Sequence, residues 1–110
     1  MSEEMKDKEV YLVWLEEENC SCGVILDHFP TLDDFIKHTC MKISCKGDKV
    51  KVWLYCSMRI LKVPLRKLIN RNFKELDDYV IFSRYFDEME ISEFIKLLEE
   101  LRKKCESEIA

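Results

Sequence analysis

Three observations predict an α+β fold for this chain. Runs rich in β-branched and aromatic residues recur at Val10–Leu15, Gly23–Leu26, Lys49–Cys56 and Tyr79–Phe82, the composition of strands. Between and after them, apolar residues recur at the three-four spacing of helices. Only two glycines and two prolines occur, which leaves little room for long irregular loops.

Val10-Tyr-Leu-Val-Trp-Leu15 reads as the first strand, Glu16 to Asn19 as a turn, and Gly23–Leu26 as the second strand of a hairpin. Pro30-Thr31-Leu-Asp-Asp34 is a helix start. Thr31 is the cap, Asp34 completes a capping box, and both aspartates suit the positive end of the helix dipole. Leu32, Phe35, Ile36 and Cys40 fall on one face of that helix, and Lys46-Gly47-Asp48 supplies turn residues that end the unit.

Lys49 to Cys56 alternates lysine and valine and then becomes apolar, a third strand. Arg59 to Val63 reads as a short strand after a tight turn. Pro64 opens a short helix with Leu65, Leu68 and Ile69. Tyr79–Phe82 is the last strand. The spacing of Ile91, Phe94, Ile95, Leu98, Leu101 and Cys105 predicts a C-terminal helix over 88–106, with Asp87 as its cap. The expected core includes Leu12, Phe35, Ile36, Val52, Leu54 and Phe82, or the register one residue away on the strands. An acidic tail, 1–8, precedes one α+β domain, 9–110.

The 47% hydrophobic and 36% charged fractions are those of a globular chain. Met1 to Glu9 lacks the apolar run of a secretory signal, and no apolar stretch is long enough to span a bilayer. The expectation is a cytoplasmic or nuclear protein away from membranes, whose six cysteines are reduced.

The order of elements, a hairpin, a helix, a strand, a short strand, a Pro-Leu helical turn and a final Tyr-Val-Ile-Phe strand, resembles the β-grasp fold of the ubiquitin-like superfamily. The segments Asp34-Phe-Ile-Lys37 and Lys51-Val-Trp-Leu-Tyr55 are faintly similar to ubiquitin-like proteins of the autophagy conjugation system. The resemblance implies a mixed sheet with a central helix, here with an additional C-terminal helix. Ubiquitin-like modifiers end in glycine just after the last strand. This chain continues through a charged helix to Glu108-Ile109-Ala110, so it is not expected to be conjugated. The first strand also lacks the basic residue that pairing domains of the Phox-and-Bem type place there.

The net charge of −4 argues against a general nucleic-acid binder. Between Lys46 and Arg71, however, eight basic residues face a single acid, Asp48. Within that stretch Lys51, Trp53 and Tyr55 share one face of the third strand, opposite Val50, Val52 and Leu54. Together with Arg59, Lys62 and Arg66 they form the expected partner-binding surface. An acidic protein needs only complementary charge to use it. The expected function is therefore that of a non-catalytic interaction module, an adaptor or inhibitor of a larger assembly, with no cofactor.

Both faces of the sheet carry large apolar groups, and the first helix covers only one. The C-terminal helix folding back is the expected cover for the other, with a homodimer through that helix or a foreign partner on that face as the alternatives. A metal- or nucleic-acid-binding regulatory protein is the alternative function. Cys20, Cys22, Cys40 and Cys45 are candidate zinc ligands, with His28 and His38 as substitutes, although Cys-x-Cys and Cys-x4-Cys are unusual zinc spacings. A cysteine nucleophile is not supported, because His38 and Cys40 are two apart on a helix and do not face each other. Basic residues among aromatics are also the composition that holds single-stranded nucleic acid.

Overall fold

The computed structural model describes residues 8–18, 21–69 and 73–107. Its elements run β1 (Glu9–Glu16), β2 (Ser21–Leu26), α1 (Leu32–His38), β3 (Lys42–Lys46), β4 (Lys49–Pro64), α2 (Leu65–Ile69), a 3-10 helix (Phe73–Tyr79), β5 (Val80–Glu90) and α3 (Ile91–Ser107). The α+β class is as the patterns predict.

The pairing differs from the mixed sheet that the β-grasp resemblance implied. All four strand pairings among the described residues are antiparallel. β4 lies in the centre: β5 runs along one edge, while β3 and β1 sit on the other, β3 against its first part and β1 against its last. β2 pairs with β1. The strands expected at Lys49–Cys56 and Arg59–Val63 are one strand of 16 residues. The expected tight turn is a bulge instead. Leu54 and Tyr55 stand opposite the single Asp87, between the pairs Trp53–Glu88 and Cys56–Phe86, and Tyr55 has φ 53°. An extra residue of this kind bends a strand without ending it.

β3 was not anticipated. Gly47 and Asp48 form the two-residue loop of a β3–β4 hairpin, with Gly47 at φ 61°, a conformation that glycine adopts without a Cβ clash. β5 is longer than expected and runs directly into α3. Asp87 accordingly lies inside a strand and does not cap the helix, although its carboxylate accepts from the N–H of Glu88. The capping box of α1 forms as predicted: the Thr31 side chain accepts from the Asp34 N–H, and the Asp34 carboxylate accepts from the Thr31 N–H at 2.9 Å.

Alternation along the strands sends apolar groups to both faces. On the inner face Val13, Leu15, Val52, Leu54, Met58 and Ile60 pack with Phe35 of α1 and Phe94 and Leu98 of α3. Phe35 and Phe94 meet edge to face, and Phe94 meets Phe86 likewise, with centroids 5.2 Å and 5.3 Å apart. The C-terminal helix therefore does fold back, but onto the face that α1 covers. Its buried stripe is spent on the chain's own core, so a second copy pairing through that stripe would have to displace it. On the outer face Val10, Leu12, Leu61 and Val63 are covered by Leu68 of α2 and Leu76 of the 3-10 helix. Of the expected core, Phe82 is half-buried and Ile36 is exposed. α1 has only seven residues, and the side it turns to the sheet is that of Leu32 and Phe35. Among the described residues no helix is long and apolar enough to cross a membrane.

Candidate functional site

The cover on the outer face is confined to the end where β1 meets the last part of β4. The other end, built from β3 and the start of β4, carries Lys51, Trp53 and Tyr55 on the side opposite the buried Val52 and Leu54. The rings of Trp53 and Tyr55 lie 5.2 Å apart, tilted by 52°. Register places Lys42 opposite Trp53, and its Nζ stands 5.2 Å from the Trp53 ring centroid, a cation–π distance. Ser44, Lys46, Lys49 and Lys51 surround the same place and, with the two rings, line a cavity of about 460 Å³. Glu88 of β5 closes one side, with a carboxylate oxygen 3.5 Å from Lys51 Nζ. Four lysines and one acid thus meet at two aromatic rings.

The predicted partner-binding residues divide in this arrangement. Lys51, Trp53 and Tyr55 come together. Arg59 is exposed on the same face but six residues further along β4, about 20 Å away at the usual strand rise. Arg66 is exposed on α2, at the covered end. Lys62 lies on the other face: it pairs with Tyr11, stands 5.9 Å from that ring and forms an ion pair with Glu9 at 3.3 Å. Charge along a sequence does not report which face a strand turns outward. Lys42 escaped sequence reasoning because β3 did, yet Lys42-Ile-Ser-Cys-Lys46 alternates polar and apolar residues before a Gly-Asp loop, which is a hairpin signal.

Three of the four candidate zinc ligands lie among the described residues. Cys20 lies outside the described residues, Cys22 is half-buried on β2, and Cys40 and Cys45 are exposed. Among the described residues no three histidine, cysteine or acidic side chains converge where they could hold a metal ion. Cys56 is buried beneath the sheet, and burial, then the charges of Glu17, Cys22 and Cys40, push its thiol up to about 11. Such a thiol is protonated and poorly nucleophilic at neutral pH.

A second, larger groove of about 790 Å³ runs between α3 and the segment leading into α1, with Tyr11, Phe29, Ile95 and Leu98 in its walls. Tyr11 meets Phe29 edge to face at 5.3 Å, and its hydroxyl lies 3.7 Å from Cys105 Sγ. Burial first, then the Cys105 contact, pushes the Tyr11 phenol up to about 12. At the rim, His28 bridges Asp27 and Asp34 at 2.7 Å and 2.8 Å. The hydrogen bond to Asp27, then that to Asp34, holds the imidazole above its ordinary range. Burial raises the Asp34 carboxyl, but hydrogen bonds from the Thr31 backbone, His28 and the Thr31 hydroxyl outweigh it and hold it low. The rim mixes Asp33, Glu99 and Glu106 with His28 and Arg102, so it lacks the excess of positive charge found at Trp53.

No family model matches the chain, and no curated protein or solved structure matches it either.

Proposed function

We propose that this protein is a non-catalytic protein-interaction module that takes up an acidic segment of a partner on the face around Trp53. One observation carries the proposal. Lys42, Lys46, Lys49 and Lys51 converge on Trp53 and Tyr55 at the end of the sheet that neither α2 nor the 3-10 helix covers. Clustered charge of one sign steers an oppositely charged partner and selects against the wrong one. Aromatic rings beside it supply contact area at low cost in side-chain freedom. This surface supports the binding reading whether or not the fold is ubiquitin-like.

The neighbouring rings favour one second reading, single-stranded nucleic acid stacked on Trp53 and Tyr55. Glu88 at the side of the cavity and the net charge of −4 weigh against a phosphate backbone. Titrating the full chain with a fluorescent glutamate-rich peptide and, separately, with a single-stranded oligonucleotide decides between them. The proposal expects saturable, salt-sensitive binding of the peptide that Lys49→Glu and Lys51→Glu abolish. Binding of the oligonucleotide alone would favour the second reading.

A further inference from the structure

Resting on the binding face proposed above, we infer that the acidic segment binds as an extra strand on the outer edge of β3. Among the described strands β3 pairs only with β4, so none of them occupies its other edge. Antiparallel residues alternate between pairs that exchange hydrogen bonds and pairs that do not. The two-residue loop closes on the hydrogen-bonded pair Lys46–Lys49. Lys42, Ser44 and Lys46 therefore bond inward to β4, and the backbone N–H and C=O of Ile43 and Cys45 point outward. These are the groups that an incoming strand needs.

Charge selects the occupant. Lysines on an edge strand guard it against unwanted pairing. A second copy laid antiparallel on β3 in symmetric register sets Lys42 against Lys46, like charge against like charge. An acidic strand meets the same lysines as opposite charges at cross-strand distance. Alternate side chains of the new strand fall on opposite faces. Those on the outer face stand beside Lys42, Ser44 and Lys46, at the rim of the Trp53 cavity. Those on the inner face stand beside Ile43, which is 44% exposed, and Cys45, which is also exposed. The partner segment thus reads acidic, apolar, acidic, apolar, acidic in extended form.

The test uses the full chain and three fluorescein-labelled peptides: Glu-Val-Glu-Val-Glu, the same peptide N-methylated at both valines, and the same peptide N-methylated at the glutamates that follow each valine. Residues directly opposite one another share a face, so the valines lie opposite Ile43 and Cys45 and exchange hydrogen bonds with them. Methylating the valines should weaken binding about tenfold or more, while methylating the glutamates should leave it near that of the parent. In the parent complex the amide protons of Ile43 and Cys45 should exchange more slowly. Cys45→Pro removes one outward donor at an edge position where proline is tolerated, and should weaken binding without lowering the melting temperature much. Equal binding of all three peptides would overturn strand addition while leaving the basic face as the binding surface. Failure of every acidic peptide, glutamate-rich coil included, would remove both.

Discussion

Phe35 of α1 and Phe94 of α3 meet edge to face, with ring centroids 5.2 Å apart and planes at 83°. Both rings are almost fully buried, at 1% and 0% exposure, and they join the two helices over the inner face of the sheet. Phe35→Ala and Phe94→Ala should each cost about 3–5 kcal/mol in urea unfolding. The double variant should lose less than the sum, because the pair itself contributes about 0.5–1.5 kcal/mol. A loss below about 1 kcal/mol for either single variant would mean that its helix is not docked on the sheet.

The pair also shows where sequence reasoning reached and where it stopped. The spacing of Ile91, Phe94, Leu98 and Leu101 declared an apolar stripe, and Thr31 with Asp34 declared the start of α1 through a hydrogen bond that is local in the chain. Which face the stripe would cover was not legible, since both faces of the strands are apolar. The pairing of β1 with β4 is likewise a long-range choice, and no turn chemistry announces it. At the candidate site, Lys51, Trp53 and Tyr55 were readable from alternation within one strand. Lys42 comes from a neighbouring strand, and Lys62 was misplaced because linear charge density ignores the direction of the side chain.

Tyr55 holds φ 53° at the bulge, in the left-handed region that a Cβ disfavours. Tyr55→Gly should therefore be more stable than Tyr55→Ala by about 1–2 kcal/mol, since both lose the ring and only glycine relieves the backbone. Thermal melts of the two variants check this. Equal stability would indicate that the position does not hold a left-handed backbone.

His28 between Asp27 and Asp34 makes stability depend on pH. Its imidazole is raised in the folded chain, so its contribution is fully present below about pH 6.5 and is lost as pH rises through the raised value. Asp34 is lowered, so its contribution is present above about pH 3.9 and is lost as pH falls through the lowered value. The melting-temperature gap between the protein and His28→Gln should be widest at about pH 5–6 and should narrow on the alkaline side of neutrality. His28 is half exposed, so the gap should be small and should shrink in salt. A gap that widens with rising pH would contradict the arrangement.

Cysteine reactivity should follow burial. Cys40 and Cys45 are exposed, whereas Cys56 is buried with its thiol pushed up to about 11. Brief iodoacetamide treatment of the folded protein at neutral pH, followed by peptide mass spectrometry, should label Cys40 and Cys45 and spare Cys56 until the chain is unfolded. Early labelling of Cys56 would show that the inner face opens far more readily than its packing implies.

The emission of Trp53 tests the basic face most directly. In the Trp14→Phe variant Trp53 is the remaining tryptophan, and it sits beneath Lys42 and beside Tyr55. Titration with a glutamate-rich peptide should change its fluorescence saturably, with an apparent affinity that falls as salt rises, and adding Lys49→Glu and Lys51→Glu should abolish the response. A signal that stays flat with the acidic peptide, or that moves equally with a neutral peptide of the same length, would contradict the claim that this face binds acidic partners.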